Sequence, residues 1–97
     1  MRREPTHPGE VLLQEFLKPI GYGAQSEAAR RMGMSLNRLN EITRKERPVT
    51  PESAALIGAL TETNPSMWLH MQADYDLWRA LRSVDTSRIS PMKASER

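Results

Sequence analysis

An all-α fold of five helices in a single domain is what this sequence predicts, and three observations carry it. Helix starts recur: Ser35, Thr50–Pro51–Glu52 and Asn64–Pro65 each place a capping side chain, twice followed by proline, where a first turn begins. No stretch alternates apolar and polar residues over strand length, and no Asn-Gly or Asp-Gly hairpin dipeptide occurs. At 97 residues, 38% hydrophobic and 27% charged, the chain suits one soluble domain with a modest core.

Val11, Leu12, Glu15 and Phe16 fall at helical spacing in a first helix from Gly9 to Leu17. The stretch "KPIGYG" at 18–23 stops it with a proline and two glycines. A second helix fits Gln25 to Met32, with Ala28, Ala29 and Met32 inward. Gly33 ends it, because glycine tolerates the left-handed backbone that follows a helix. Ser35 caps a third helix from Leu36 to about Arg44, and "RKERPV" then forms a basic loop. Thr50, Pro51 and Glu52 open a fourth helix to about Leu60, with an acid at its positive dipole end. Asn64 and Pro65 open a longer fifth to about Arg82. The polar remainder predicts a flexible tail at 83–97 beyond a domain of residues 1–82.

Composition removes several functions. Cysteine is absent, which excludes a disulfide framework and thiolate metal ligation and suits a reducing cytoplasm. No apolar run approaches the roughly 18 residues of a membrane span. His7 and His70 lie far apart without ligand spacing. His7 reads as a lead-in to the first helix, and His70 as an exposed residue of the fifth. Gly21 and Gly23 lack the strand and lysine of a phosphate loop, and Asp74 and Asp76 face different sides of one helix. No catalytic site, metal or cofactor is expected.

The formal charge is only +2, but its distribution is uneven. Residues 25–50 hold six basic side chains (Arg30, Arg31, Arg38, Arg44, Lys45, Arg47) against three acidic ones. That window is also where two short helices meet at Gly33. Ala29 supplies a small contact, Gly33 the bend, and Leu39 and Ile42 an inward face, which is the spacing of a helix-turn-helix over about residues 25–44. Asn37, Asn40, Glu41 and Arg44 then face outward with Arg38 on the flank. Asparagine pairs with adenine and arginine with guanine in the major groove of a duplex. The start of such a helix reaches deepest, favouring Leu36, Asn37 and Arg38 as base contacts. Gln25, Ser35, Lys45 and Arg47, at helix ends and in the loop, are placed for phosphates.

In the fifth helix, Trp68, Met71, Tyr75, Trp78 and Leu81 form a stripe at three- and four-residue steps. Trp68 and Met71 are expected inward, and Tyr75, Trp78 and Leu81 between two copies of the chain, making residues 65–82 a dimerisation helix.

Three segments, "HPGEVLLQEFLKPIG", "NRLNEITRKERPVTPESAALI" and "NPSMWLHMQADYDLWRA", extend the pattern over residues 7 to 80. Together they resemble the HigA family of antitoxins within the lambda-repressor-like (Xre-type) helix-turn-helix proteins. His7-Pro8-Gly9-Glu10 and the Met67-Trp68-Leu69 to Tyr75-Asp76-Leu77 stretch separate that family from generic phage-type repressors. The loop "TRKERPVT" departs from it by lacking a glycine, and the tail after Arg82 matches nothing. The resemblance implies a homodimer that binds operator DNA, represses its own operon and neutralises a RelE/HigB-like mRNA-cleaving toxin. Asn37 and Arg38, then Asn40 and Arg44, match the family's recognition-helix positions. The alternatives are a free-standing helix-turn-helix repressor without a toxin, and a module whose third helix contacts protein.

Overall fold

The first helix begins at Pro8 because His7 caps it: the His7 Nδ1 accepts the Gly9 N–H at 2.9 Å, and proline at the first position needs no partner for its nitrogen. In the computed structural model, which describes residues 3–93, this helix (α1) is α-helical over Pro8–Val11 and π-helical over Leu12–Leu17. The Lys18 N–H reaches back to the Leu13 carbonyl at 2.9 Å. The wider turn brings Leu12 and Leu17 onto one buried face and leaves Glu15 exposed, against the expectation of an ordinary 3.6-residue repeat that grouped Glu15 with Val11, Leu12 and Phe16.

The remaining helices are α2 (Ala24–Met32), α3 (Leu36–Thr43), α4 (Pro51–Thr61) and α5 (Pro65–Ser83), with no strand among the described residues. Each boundary falls within a residue of its sequence signal. Gly33 adopts φ 68°, while its N–H bonds the Arg30 carbonyl and the Met34 N–H that of Ala29, the two bonds that close a helix end around a left-handed residue. Ser35 Oγ accepts the Arg38 N–H at 3.1 Å. At α4, Thr50 and Ser53 cap one another reciprocally. His70 is exposed, as expected.

Leu12, Leu39, Ile42, Ile57 and Trp68 have no exposed surface and form the centre of the core. Trp68 also donates its indole N–H to Thr63 Oγ1 at 2.7 Å and meets Phe16 at 5.8 Å between ring centroids, tying α5 to α1 and to the α4–α5 turn. Gln72, buried on α5, accepts the Val49 N–H at 2.8 Å and so pins the end of the basic loop. Where α1 crosses α3, an added Cβ on Gly9 would lie 1.8 Å from the Ile42 carbonyl oxygen, so only glycine fits.

Only Trp68 and Gln72 of α5 are buried, and the second half of this helix runs off the body of a molecule measuring 59 × 26 × 21 Å. Of the expected tail, Ser83 belongs to α5, residues 84–93 hold no helix or strand, and residues 94–97 lie outside the described region. Among the described residues no helix is long and apolar enough to cross a membrane.

Two outcomes follow from this packing. Gly9→Ala is expected to lower stability by about 1–3 kcal/mol, the usual cost of overpacking, as read from urea unfolding. Burial holds His7 below its ordinary value of 6.5, with the Asp76 charge opposing. The unfolded chain therefore takes up this proton more readily than the folded one, and the stability present above 6.5 is lost as pH falls toward the folded value. Urea midpoints should drop below pH 6.5, and His7→Asn, which keeps a capping oxygen, should remove most of that drop.

Candidate nucleic-acid interface

The polar side of α3 exists because its other side is consumed. Leu39 and Ile42 are fully buried and Thr43 nearly so, which turns Asn37 and Arg44 to solvent. Leu36, at the first position, is 42% exposed, an apolar group at the helix tip where it meets the neighbouring groove. Arg38, Asn40 and Glu41 are half-buried. The Asn40 amide oxygen is buried without a hydrogen bond, so this residue is less available than its place on the helical wheel implies. The six candidate base contacts thus lie on one short helix and its C-capping residue Arg44, three of them open and three partly covered.

The four candidate phosphate contacts frame that helix. Gln25 is half-buried in the first turn of α2, and Ser35 is exposed with its oxygen occupied as a cap acceptor, leaving its O–H to donate. Lys45 takes φ 66° immediately after α3, while the Glu46 N–H bonds the Glu41 carbonyl at 2.8 Å. The glycine missing from the loop is therefore replaced in its left-handed position by a lysine, which aims a cation past the helix end at a backbone cost of about 1 kcal/mol. Arg47 is exposed in the same loop.

Most of the local positive charge is held by acids. Arg38 pairs with Glu52 at 3.1 Å, Arg47 with Glu41 at 2.8 Å and Lys45 with Glu10 at 3.8 Å. On α2, Arg30 and Arg31 both bond Glu27, which holds that carboxyl down at about 2. Among the described residues Arg44 alone of the six makes no ion pair. Such exposed pairs are each worth about 0–1 kcal/mol, so they orient the arms without locking them.

Two residues outside the sequence expectations join the same face. Lys18 and Tyr22 line a groove of about 520 Å³ that runs to Gln25, Ser26 and Leu36. Gly21 and Gly23, both at positive φ, turn Tyr22 fully outward. The Gly-x-Gly spacing was the available signal, but on its own it marks only a turn.

On α5, Trp68 is inward as expected and Met71 half-buried. Of the three residues expected between chains, Tyr75 packs edge-on against its own His7 at 4.9 Å. Trp78 is half-covered by Arg82, whose guanidinium lies 3.6 Å from the ring centre. Leu81 is 66% exposed, and Leu77, which the stripe omitted, is 57% exposed beside it. Among the described residues no cluster of histidine and acidic side chains could hold a metal.

No family model matches the chain. It is 39% identical over 71 residues to Virulence-associated protein I of Dichelobacter nodosus, across 73% of this chain and 65% of that protein. The chain thus spans slightly less than two thirds of that relative's length. It is 34% identical over 77 residues to Antitoxin HigA-1 of Vibrio cholerae, covering 79% of this chain and 71% of that one. Among solved structures, the Pseudomonas aeruginosa antitoxin HigA with the higBA promoter matches with a TM-score of 0.81 at 28% identity, over 92% of this chain and 99% of that one.

Lys45 couples stability to charge in a way that can be measured. Lys45→Gly is expected to raise stability by about 1 kcal/mol by relieving the left-handed strain. It should also flatten the salt dependence of duplex binding by about one phosphate's worth. Both are read on one variant, by urea unfolding and by anisotropy titrations at several salt concentrations.

Proposed function

Because the chain belongs to the HigA family of helix-turn-helix antitoxins, we propose that it binds operator DNA as a dimer, represses its own operon and neutralises a RelE/HigB-like mRNA-cleaving toxin in the cytoplasm. The observation that carries the DNA reading is the anchored α3, whose buried Leu39 and Ile42 leave Leu36, Asn37 and Arg44 exposed with Arg38 on the flank. Asn37 and Arg38 are assigned the base contacts at the tip of the helix, with Asn40, Glu41 and Arg44 one turn later. Gln25, Ser35, Lys45 and Arg47 are assigned to phosphates, and Lys18 and Tyr22 extend that contact toward the start of α2. A likeness to a HigA with its promoter supports the same reading.

The dimer rests on the unburied half of α5. Leu77, Trp78 and Leu81, with Arg3 and Pro5, line a concavity of about 700 Å³. Two copies meeting there would cover side chains that a monomer leaves to water, and would carry two α3 helices to successive turns of a palindromic duplex. Tyr75 contributes from the edge, through its support of His7.

Purification together with the product of the neighbouring gene, followed by titration of both against the DNA upstream, tests the whole assignment. A stable complex, and retardation of that DNA steeply weakened by salt, are the expected results. Leu81→Asp should reduce the mass by light scattering to that of one chain and weaken operator binding. DNA binding without a partner protein would leave the free-standing repressor. Binding to neither would end the reading.

A further inference from the structure

Arg38 does not stand free on the DNA-facing edge. Its Nη2 donates to Glu52 Oε1 at 3.1 Å, across to the first turn of α4. The arginine side chain is 28% exposed against 75% for the acid, and its Nε is buried with no acceptor. An unpaired donor under cover is unfavourable, so the carboxylate keeps the arm in this position. The backbones at both ends are fixed. The Arg38 N–H is held by the Ser35 cap, and Glu52 follows Pro51 in a turn closed by Thr50 and Ser53. With Nε covered and one Nη2 hydrogen on Glu52, only the outer end of the guanidinium remains to be presented.

We propose that Glu52 is a specificity-determining positioning residue: it stays bonded to Arg38 on the operator and orients the guanidinium end toward one base. This rests on the reading of α3 as the base-contacting helix. A free arginine would swing to any phosphate within reach and would lose its rotamer freedom on binding. A tethered one meets a base already ordered and is kept from the backbone. The acid therefore strengthens binding to the operator while weakening binding elsewhere, a combination that simple charge does not produce. A bare negative charge at this place would oppose all DNA alike.

The test compares the full-length protein with Glu52→Gln, Glu52→Asp, Arg38→Ala and the Arg38→Ala/Glu52→Gln double variant. Each is titrated with the upstream duplex and with an unrelated duplex of equal length, after thermal melts show that each variant folds. Glu52→Gln is expected to weaken operator binding by about twofold to tenfold, the cost of immobilising one long side chain. It should leave binding to the unrelated duplex unchanged or tighter. Glu52→Asp, which keeps the charge but shortens the reach, should lose operator affinity in the same direction. Adding Glu52→Gln to Arg38→Ala should bring no loss of operator affinity and at most an equal, small tightening on both duplexes, because the acid strengthens operator binding only through that arginine and without it is a bare charge. Equal strengthening on both duplexes by Glu52→Gln alone, wild-type behaviour of Glu52→Asp, or an undiminished loss of operator affinity without Arg38 would each overturn the proposal. An Arg38→Ala variant that binds the operator as well as wild type would overturn the base-contact reading beneath it.

Discussion

A helix of eight residues does not hold itself together in water, and α3 has eight. Its order comes from what surrounds it. Leu39 and Ile42 are buried completely, each worth about 1.5–3 kcal/mol. Ser35 secures the first turn, and a left-handed Lys45 closes the last. Behind it, Gly9 lets α1 come against the Ile42 carbonyl with no side chain between. Every proposed base contact is carried on this segment or on Arg44, the residue that caps it. The positions of Asn37, Arg38 and Arg44 are therefore consequences of core packing.

The same packing explains why net charge is a poor guide to the surface. The acids facing the arginines and the lysine come from four elements: Glu10 from α1, Glu27 from α2, Glu41 from α3 itself and Glu52 from α4. Weak exposed pairs of this kind set orientation more than energy. An arm held in one direction loses less freedom when it meets a partner, which is how a small domain can present few contacts with defined geometry. Gln72 serves the same end by tying the basic loop to α5. The helix α5 thus divides between two duties. Trp68 and Gln72 complete the core, while Leu77 and Leu81 remain on the part of the helix that leaves it.

Most helix boundaries were legible because their causes are local. Ser35, Thr50 and Asn64 cap through their own side chains, and Gly33 turns left because it lacks a Cβ. The π-helical segment at Leu12–Leu17 was not legible, since a 3.6-residue repeat assigns faces that a wider turn redistributes. The chemistry of α3 could be read from its amides and arginines, but the pairing of Arg38 with Glu52, and of Lys45 beyond the helix with Glu10, joins residues distant in sequence. Tyr75 shows the same limit from the other side. Its spacing in the stripe matches that of Trp78, yet His7, nearly seventy residues earlier, decides which way its ring is used.

The sequence by itself determined that the chain is all-helical, where its helices start and stop, and that amides and arginines lie opposite Leu39 and Ile42, because backbone preference and helical periodicity act over a few residues. Only the tertiary structure decided that Gly9 must be glycine, that Arg38 leans on Glu52, and which half of α5 is left uncovered. Those outcomes depend on distances between segments remote along the chain, and such distances are set only when the core closes around Trp68.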